Sequence, residues 1–517
     1  MKLAITGATG NMGKAVMEQL CRLEEIEHIK LLARDKKKVK KLWKTCKPLQ
    51  HKTEVIIGSI ADKAACERLI DGCDYVVNMG AVIPPTSDFD PRAAVTTNVA
   101  GVHALVSAIE GVQEQQPKLI HISTMALYGN RNHRHTWGRV GDPLLVSPFD
   151  VYAVTKLRGE FRVLESDIKQ WAIIRQTAML HDNMLADNTS DGLMFHTCFN
   201  APLEWVTAHD SGVLIANILR KDSREDLSTT FWKKCFNLGG GAANRITGFD
   251  TLNDGFAMIG GSAKDFFCPN YNATRNFHGL WFSDGNVLDD MFGYISQSVK
   301  DYWQHIARIH AVYALGKAVP KRWIKSLVIK RLLKNYNAPA YWAKHNDTER
   351  LQAYFGGKDA YDALPCRWED FDLLREGRAD GEQVDYERLR TCPTTIDYGF
   401  DIDKSDADIS LADLQSVAET HGGKLLSEEF TKGDIYAKLT WQTQDGHVFT
   451  ANAYTVLRAG HWHNPVYESF TWDFDRLSKK DKIFAQIWYD SHEIDEDHLY
   501  RLDEKYDPVP MGGEQNA

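Results

Sequence analysis

Thr6-Gly7-Ala8-Thr9-Gly10-Asn11-Met12-Gly13, directly behind the apolar run Leu3-Ala4-Ile5, decides the fold of this chain. Residues 3–6 predict a short buried strand and residues 12–23 a helix. Gly7, Gly10 and Gly13 stand between them at i, i+3 and i+6. Glycines at such a turn let the backbone double back and come close to a phosphate. The helix then aims its first amides at the anion. A glycine turn alone is a weak sign, but a strand before and a helix after make it a candidate pyrophosphate cradle. Its candidate contacts are Gly7, Thr9, Gly10, Asn11, Met12 and Gly13.

The pattern continues outward. Residues 29–33 predict a second strand, ending at Arg34-Asp35-Lys36-Lys37-Lys38. An acidic residue at that strand end would chelate the adenosine ribose hydroxyls of NAD, whereas an arginine suits the 2′-phosphate of NADP. Arg34 therefore favours NADP, and Asp35 keeps NAD open. Residues 54–57 form the next predicted strand, before Gly58-Ser59-Ile60-Ala61-Asp62, and residues 63–70 a helix. Residues 75–78 are a strand entering Met79-Gly80-Ala81, residues 98–109 a helix, and residues 119–122 a strand entering Ser123-Thr124. Such alternation implies a parallel sheet with helices on both faces and ligands at the carboxyl ends of the strands. Arg34, Ser59, Ile60, Gly80, Ala81 and Thr124 all lie at those ends.

Bulk properties bound the rest. At 517 residues the chain needs more than one domain. Its net charge of −9 argues against nucleic acid as a partner. No apolar run is long enough for a transmembrane helix, and residues 2–5 already read as strand, which leaves no room for a signal peptide. The nine cysteines are scattered without a C-x-x-C pair, so a reducing, cytoplasmic setting is expected.

Tyr152-Ala153-Val154-Thr155-Lys156 places a phenol and an ammonium one helical turn apart. With the glycine turn, Asp62, the Asn98 helix, Ser123-Thr124-Met125-Ala126-Leu127-Tyr128-Gly129 and Arg175-Gln176-Thr177, it resembles the extended short-chain dehydrogenase/reductase family of epimerases, dehydratases and reductases. The resemblance spans roughly residues 1–300, and Gln176 replaces the family's usual proline. It implies a Rossmann doubly wound parallel sheet over residues 1–178 and a smaller substrate lobe over 179–300, interleaved with that core. It also implies Tyr152 as acid/base, Lys156 as the stabiliser of its phenolate and holder of the nicotinamide ribose, and Thr124 as the hydroxyl on the reacting oxygen, with Ser123 as alternative. Asn98 and Thr177 would lie beside the cofactor. Dehydratases of the family follow the threonine with Asp-Glu; here Met125-Ala126 follow, which disfavours elimination. The expected activity is an NADP-dependent oxidoreductase acting on a secondary alcohol or ketone. The alternatives are an NAD-dependent epimerase of nucleotide-sugar type and a non-catalytic cofactor sensor. The family dimerises through the helices bearing Asn98 and Tyr152, so a homodimer is expected unless the extra C-terminal mass blocks it.

Residues 179–205 are rich in methionine and aromatics. Packing explains most of them, but Met179 and His196 are candidate contacts for a small, hydrophobic substrate. Residues 301–405 read as a helical extension and linker. Within it residues 321–334 form a basic amphipathic helix, which either docks on another domain or lies on an anionic membrane; in the second case changing Trp323 and Lys325 should weaken vesicle binding. Residues 406–517 read as a small α+β accessory domain, with Ser410-Leu411-Ala412-Asp413 opening a helix. Residues 410–495 resemble a zinc-binding β module whose cysteine positions are here His421, Thr443, His463 and Val466. Threonine and valine make poor zinc ligands, so the module is expected to be metal-free.

Overall fold

The structure is a computed structural model that describes residues 1–132, 134–188, 191–371 and 385–506. β1 (Lys2–Thr6), α1 (Asn11–Leu20), β2 (His28–Ala33), α2 (Lys36–Leu42), β3 (Thr53–Ile57), α3 (Lys63–Ile70) and β4 (Tyr75–Asn78) follow one another with short connections. Then come α4 (Gly101–Glu110), β5 (Lys118–Thr124), α5 (Val151–Leu164), β6 (Trp171–Gln176), α6 (Ala208–Ser223) and β7 (Lys234–Leu238). The strands form one parallel sheet in the order β7-β6-β5-β4-β1-β2-β3. This is the doubly wound Rossmann arrangement, with the strand order reversing beside β1. Every side chain of β4 is buried, as a central strand covered on both faces requires. Capping side chains fix where the helices begin. Asp62 accepts from the Ala64 amide and Asp150 from the Ala153 amide.

The smaller lobe, expected to hold the substrate, carries a small sheet of Ala178–Leu180, Pro202–Thr207 and Arg245–Thr247. The helical extension begins with Val299–Ile309 and a 3₁₀ run over Ala311–Ala318. The basic helix follows as Lys321–Ile324, a π turn over Lys325–Ile329, and Lys330–Leu332. Ile329 and Leu332 are buried in a cluster with Phe195, Phe199, Phe266 and Phe267, so one side of this segment docks on the lobe. No helix among the described residues is long and apolar enough to cross a membrane.

The C-terminal region holds an antiparallel sheet of Lys424–Leu425, Lys438–Gln442 and Val448–Asn452. The expected capping box at Ser410 and Asp413 is present on the helix Leu411–Thr420. This region packs directly on α5. Arg158 donates to the Val466 carbonyl at 2.9 Å, Asn452 donates to the Leu164 carbonyl at 3.0 Å, and the Glu165 carboxylate accepts from the Asn452 amide. One buried apolar cluster runs without a break from α3, α4 and α5 to Trp441, Trp462 and Trp488. The side of α5 expected to meet a second copy is thus covered by the chain's own C-terminal region.

His421 pairs with Asp481 at 2.6 Å and stacks on Trp462. Thr443 accepts from the His447 amide, and Val466 lies in the core. His463 instead stacks on His447, with Glu468 close to both rings.

Candidate active site

The glycine turn has the close geometry its sequence implies. Gly7 has φ +73°, and a Cβ there would meet the Gly80 nitrogen at 2.6 Å. A Cβ on Gly13 would stand 2.2 Å from the Gly7 carbonyl oxygen. Gly80 in turn donates to the Thr6 hydroxyl at 3.0 Å. The ends of β1 and β4 are therefore drawn together at a turn whose backbone leaves no room for a side chain at Gly7 or Gly13, the close approach that a pyrophosphate site uses. Gly13→Ala should abolish cofactor binding, since backbone stands in the way of the new methyl; retained nucleotide affinity in a titration would contradict this.

At the end of β2, Arg34 is exposed. The Asp35 carboxylate accepts from the Lys37 amide at 2.7 Å and caps α2. The acidic residue thus serves the helix, and Arg34 stands exposed beside it at the strand end. Ser59 caps its own loop by accepting from the Ala61 amide, and Ile60 is buried. Ala81 continues the Gly80 loop, and the next residue, Val82, is clamped by Asn98. The Asn98 amide donates to the Val82 carbonyl at 2.8 Å and to the Thr155 hydroxyl at 2.9 Å, while its carbonyl accepts from the Val82 amide. Asn98 is therefore a bracket between the β4 loop and α5, placed by the π turn over Val95–Ala100.

Thr124 and Tyr152 meet at the end of β5, and Lys156 reaches the same strand two residues earlier, at Ile122. The Thr124 hydroxyl is in hydrogen-bond contact with the Tyr152 phenol and also accepts from the Ala126 amide at 3.2 Å. Burial pushes the Tyr152 phenol up to about 12, with the Asp150 carboxylate adding to this and Thr124 opposing it. The Lys156 ammonium donates to the Ile122 carbonyl at 2.5 Å. Burial brings it down to about 8, against the pull of Glu160.

Three candidates are placed differently from expectation. Ser123 is turned away from this site: its hydroxyl donates to the buried Glu160 carboxylate. Thr177 donates to the Glu204 carbonyl at 2.5 Å and contacts the Met125 sulfur, so its side chain is already engaged. Met179 packs against the core on the β1 side of the sheet, because strand alternation gives the substrate side to Ala178.

A cavity of about 340 Å³ opens beside the trio. Met125, Asp150 and Val151, the chain neighbours of Thr124 and Tyr152, form part of its wall, with Met184, Met194, Trp205 and Phe277 from the substrate lobe. His196 lines it as expected. Its Nε2 meets the Asn337 carbonyl at 2.7 Å and its ring lies near Trp342 and Tyr354. Burial brings this imidazole down to about 4, so it is neutral at physiological pH. Several polar residues here carry no local signature in the sequence. His278 pairs with Asp150 at 2.9 Å, and Asp88 is pushed up to about 7 by burial and by Asp150. Tyr336, Arg350 and Leu502, all beyond the substrate lobe, close the remaining wall.

Behind the site lies a buried ionic cluster. Arg175 donates to Glu160 at 2.6 Å, to the Ala459 carbonyl at 2.6 Å and to the Tyr128 hydroxyl at 2.7 Å. His461 meets the same Glu160 carboxylate at 3.0 Å and the Tyr467 hydroxyl at 2.7 Å. The neighbouring Arg175 guanidinium, with His461, overcomes burial and holds the Glu160 carboxyl well below the usual carboxylate range. Arg175 is thus a structural cation, and two residues of the C-terminal region complete its surroundings.

Known proteins resemble the part of the chain that carries this trio. Residues 3–168 match the NAD dependent epimerase/dehydratase family. The UDP-glucose 4-epimerase of Rickettsia typhi (strain ATCC VR-144 / Wilmington) is 32% identical over 127 residues, 24% of this chain and 36% of that protein. Its counterpart in Rickettsia conorii (strain ATCC VR-613 / Malish 7) is 30% identical over 126 residues, with the same coverage. The match thus spans about a third of the length of these curated relatives. Among solved structures, UDP-glucuronic acid 4-epimerase from Bacillus cereus in complex with UDP-glucuronic acid and NAD aligns over 60% of this chain and 100% of its own, with 18% identity and a TM-score of 0.45. DesIV, a dTDP-glucose 4,6-dehydratase from Streptomyces venezuelae, in a double-mutant form with NAD bound, aligns over 60% of this chain and 98% of its own, with 18% identity and a TM-score of 0.44. The segment similar to the NAD dependent epimerase/dehydratase family, residues 3–168, is the one that carries the glycine turn, Thr124, Tyr152 and Lys156.

Proposed function

We propose that this protein is a nicotinamide-dependent enzyme that oxidises and reduces a secondary alcohol carbon of a substrate held in the cavity beside Thr124. The observation that carries the reading is the contact of Thr124 with Tyr152 at a strand end next to that cavity, with Lys156 of the same helix bound to that strand at the Ile122 carbonyl. A nicotinamide dinucleotide in the glycine cradle would supply hydride acceptance and return. The chain's own residues do the rest. Tyr152 takes the hydroxyl proton of the substrate and gives it back. Thr124 hydrogen-bonds the same oxygen and steadies the phenol. Lys156 has three N–H donors and commits one to the Ile122 carbonyl, so its charge lowers the cost of forming the phenolate. Gly7, Gly10 and Gly13 receive the pyrophosphate.

The first reading is a redox epimerase, which removes hydride and returns it to the other face of one carbon. It is supported by the relatives of the catalytic segment, which bear the name UDP-glucose 4-epimerase. The wall of Trp205, Phe277 and Tyr336 suits a flat, uncharged ring. The second reading is an NADP-dependent reductase, and one observation favours it: Arg34 is exposed at the end of β2 while the Asp35 carboxylate is spent on capping α2. Native mass spectrometry of freshly purified protein, with identification of the nucleotide released on denaturation, separates the two. Retained NAD supports the epimerase. An empty site that binds NADPH more tightly than NADH supports the reductase. In that second case Arg34→Ala should weaken NADPH roughly tenfold and leave NADH unchanged. An equal effect on both would remove Arg34 from the account.

A further inference from the structure

No Asp or Glu occurs between Tyr302 and Asn346, although the whole chain is acidic with 70 such residues. Within this stretch the structure exposes a row of apolar side chains: Val312 (63% exposed), Leu315 (67%), Trp323 (56%) and Leu327 (68%). Trp323 and Leu327 are one helical turn apart and share a side of their segment. The opposite side, with Ile329 and Leu332, is the one docked on the substrate lobe. Arg322, Lys330, Arg331 and Lys334 are exposed among the apolar tips, and none of them is held in an ion pair among the described residues. Lys321 and Lys325 are turned inward, to Asp265 and to the Cys268 sulfur.

From this we propose that the surface formed by residues 309–334 seats the protein on an anionic lipid membrane. Charge and layout both favour lipid over a protein partner. The centre of a protein interface is depleted in lysine and dry. Here exposed cations and exposed apolar tips are interspersed along the chain. A lipid interface accepts that mixture: tips enter the acyl boundary, tryptophan settles at the headgroups, and lysine and arginine meet phosphate. The segment leads directly to Tyr336, which is exposed and also lines the cavity. Seating this surface on lipid therefore brings the cavity close to the membrane.

The test is co-sedimentation of the full chain with vesicles of phosphatidylglycerol and phosphatidylcholine in equal parts, and with vesicles of phosphatidylcholine alone. The expected result is binding to the mixed vesicles that is roughly tenfold weaker on the neutral ones and is released by high salt. The paired changes Trp323→Ser with Leu327→Ser, and Lys330→Gln with Arg331→Gln, should each weaken it by about tenfold or more. Circular dichroism matching the parent confirms that each variant is folded. Parent protein that stays in the supernatant with the mixed vesicles overturns the proposal, and this outcome needs no variant. Folded variants that bind as the parent does overturn it as well.

Discussion

Tyr152→Phe is expected to lower turnover by about 10²–10⁴-fold or more while leaving nucleotide affinity roughly unchanged. The change removes one oxygen from a side chain that touches Thr124 and lies next to the cavity-lining Asp150 and Val151. It leaves the cradle of Gly7 and Gly13 untouched, so binding and chemistry separate. Burial pushes the phenol up to about 12, so it starts as a proton donor. To act as a base it needs the positive charge of Lys156 close by, and Lys156→Met should therefore reproduce much of the loss. Steady-state rates with the nucleotide found on the purified protein, alongside a fluorescence titration of that nucleotide, would check both variants. Turnover comparable to the parent in Tyr152→Phe would remove Tyr152 from the mechanism.

Glu160→Leu is expected to destabilise the fold by about 3–5 kcal/mol, the cost of breaking a buried ion pair by removing one partner. Glu160 and Arg175 both have fully buried side chains. With the carboxylate gone, the guanidinium keeps only neutral partners, the Ala459 carbonyl and the Tyr128 hydroxyl, and Ser123 and His461 lose theirs. The double change Glu160→Leu with Arg175→Met should recover a good part of the loss, because an apolar pair of similar volume avoids the unpaired charge. Denaturant unfolding of the four proteins in the cycle measures this. A loss below about 1 kcal/mol in the single variant would mean that the cluster is far better solvated than its burial implies.

The Rossmann half could be read in the sequence because its signals are local. A short apolar strand, three glycines at fixed spacing and a following helix are contiguous, and each strand end marks a candidate contact. Thr124, Tyr152 and Lys156 were legible for the same reason. Tyr152 and Lys156 share one helix face, and Thr124 ends the neighbouring strand. What escaped was set by long-range packing. Nothing near Glu160 or Arg175 announces that Ala459 and His461 will reach them, and nothing near Ser123 announces that Glu160 will draw its hydroxyl away. Met179 was misplaced by one step of strand alternation, which exchanges core for cavity. Tyr336, Arg350 and Leu502 become cavity residues only once the chain has folded back over the substrate lobe. The basic helix was legible in composition, but only the structure separates its docked side, with Ile329 and Leu332, from its open side, with Trp323 and Leu327.

The reach of Ala459 to Arg175 and of His461 to Glu160 also governs the order in which this protein can mature during synthesis. A growing chain releases β5, α5 and β6 from the ribosome nearly three hundred residues before His461 is made. Until then the Arg175 guanidinium lacks the Ala459 carbonyl, and the side of α5 that Val466 and Asn452 will cover faces solvent. Domains usually fold as they emerge. Here the Rossmann half must wait, half-dressed, for the last quarter of the chain, and translation that stops short of residue 459 should yield a product that chaperones hold and proteases cut.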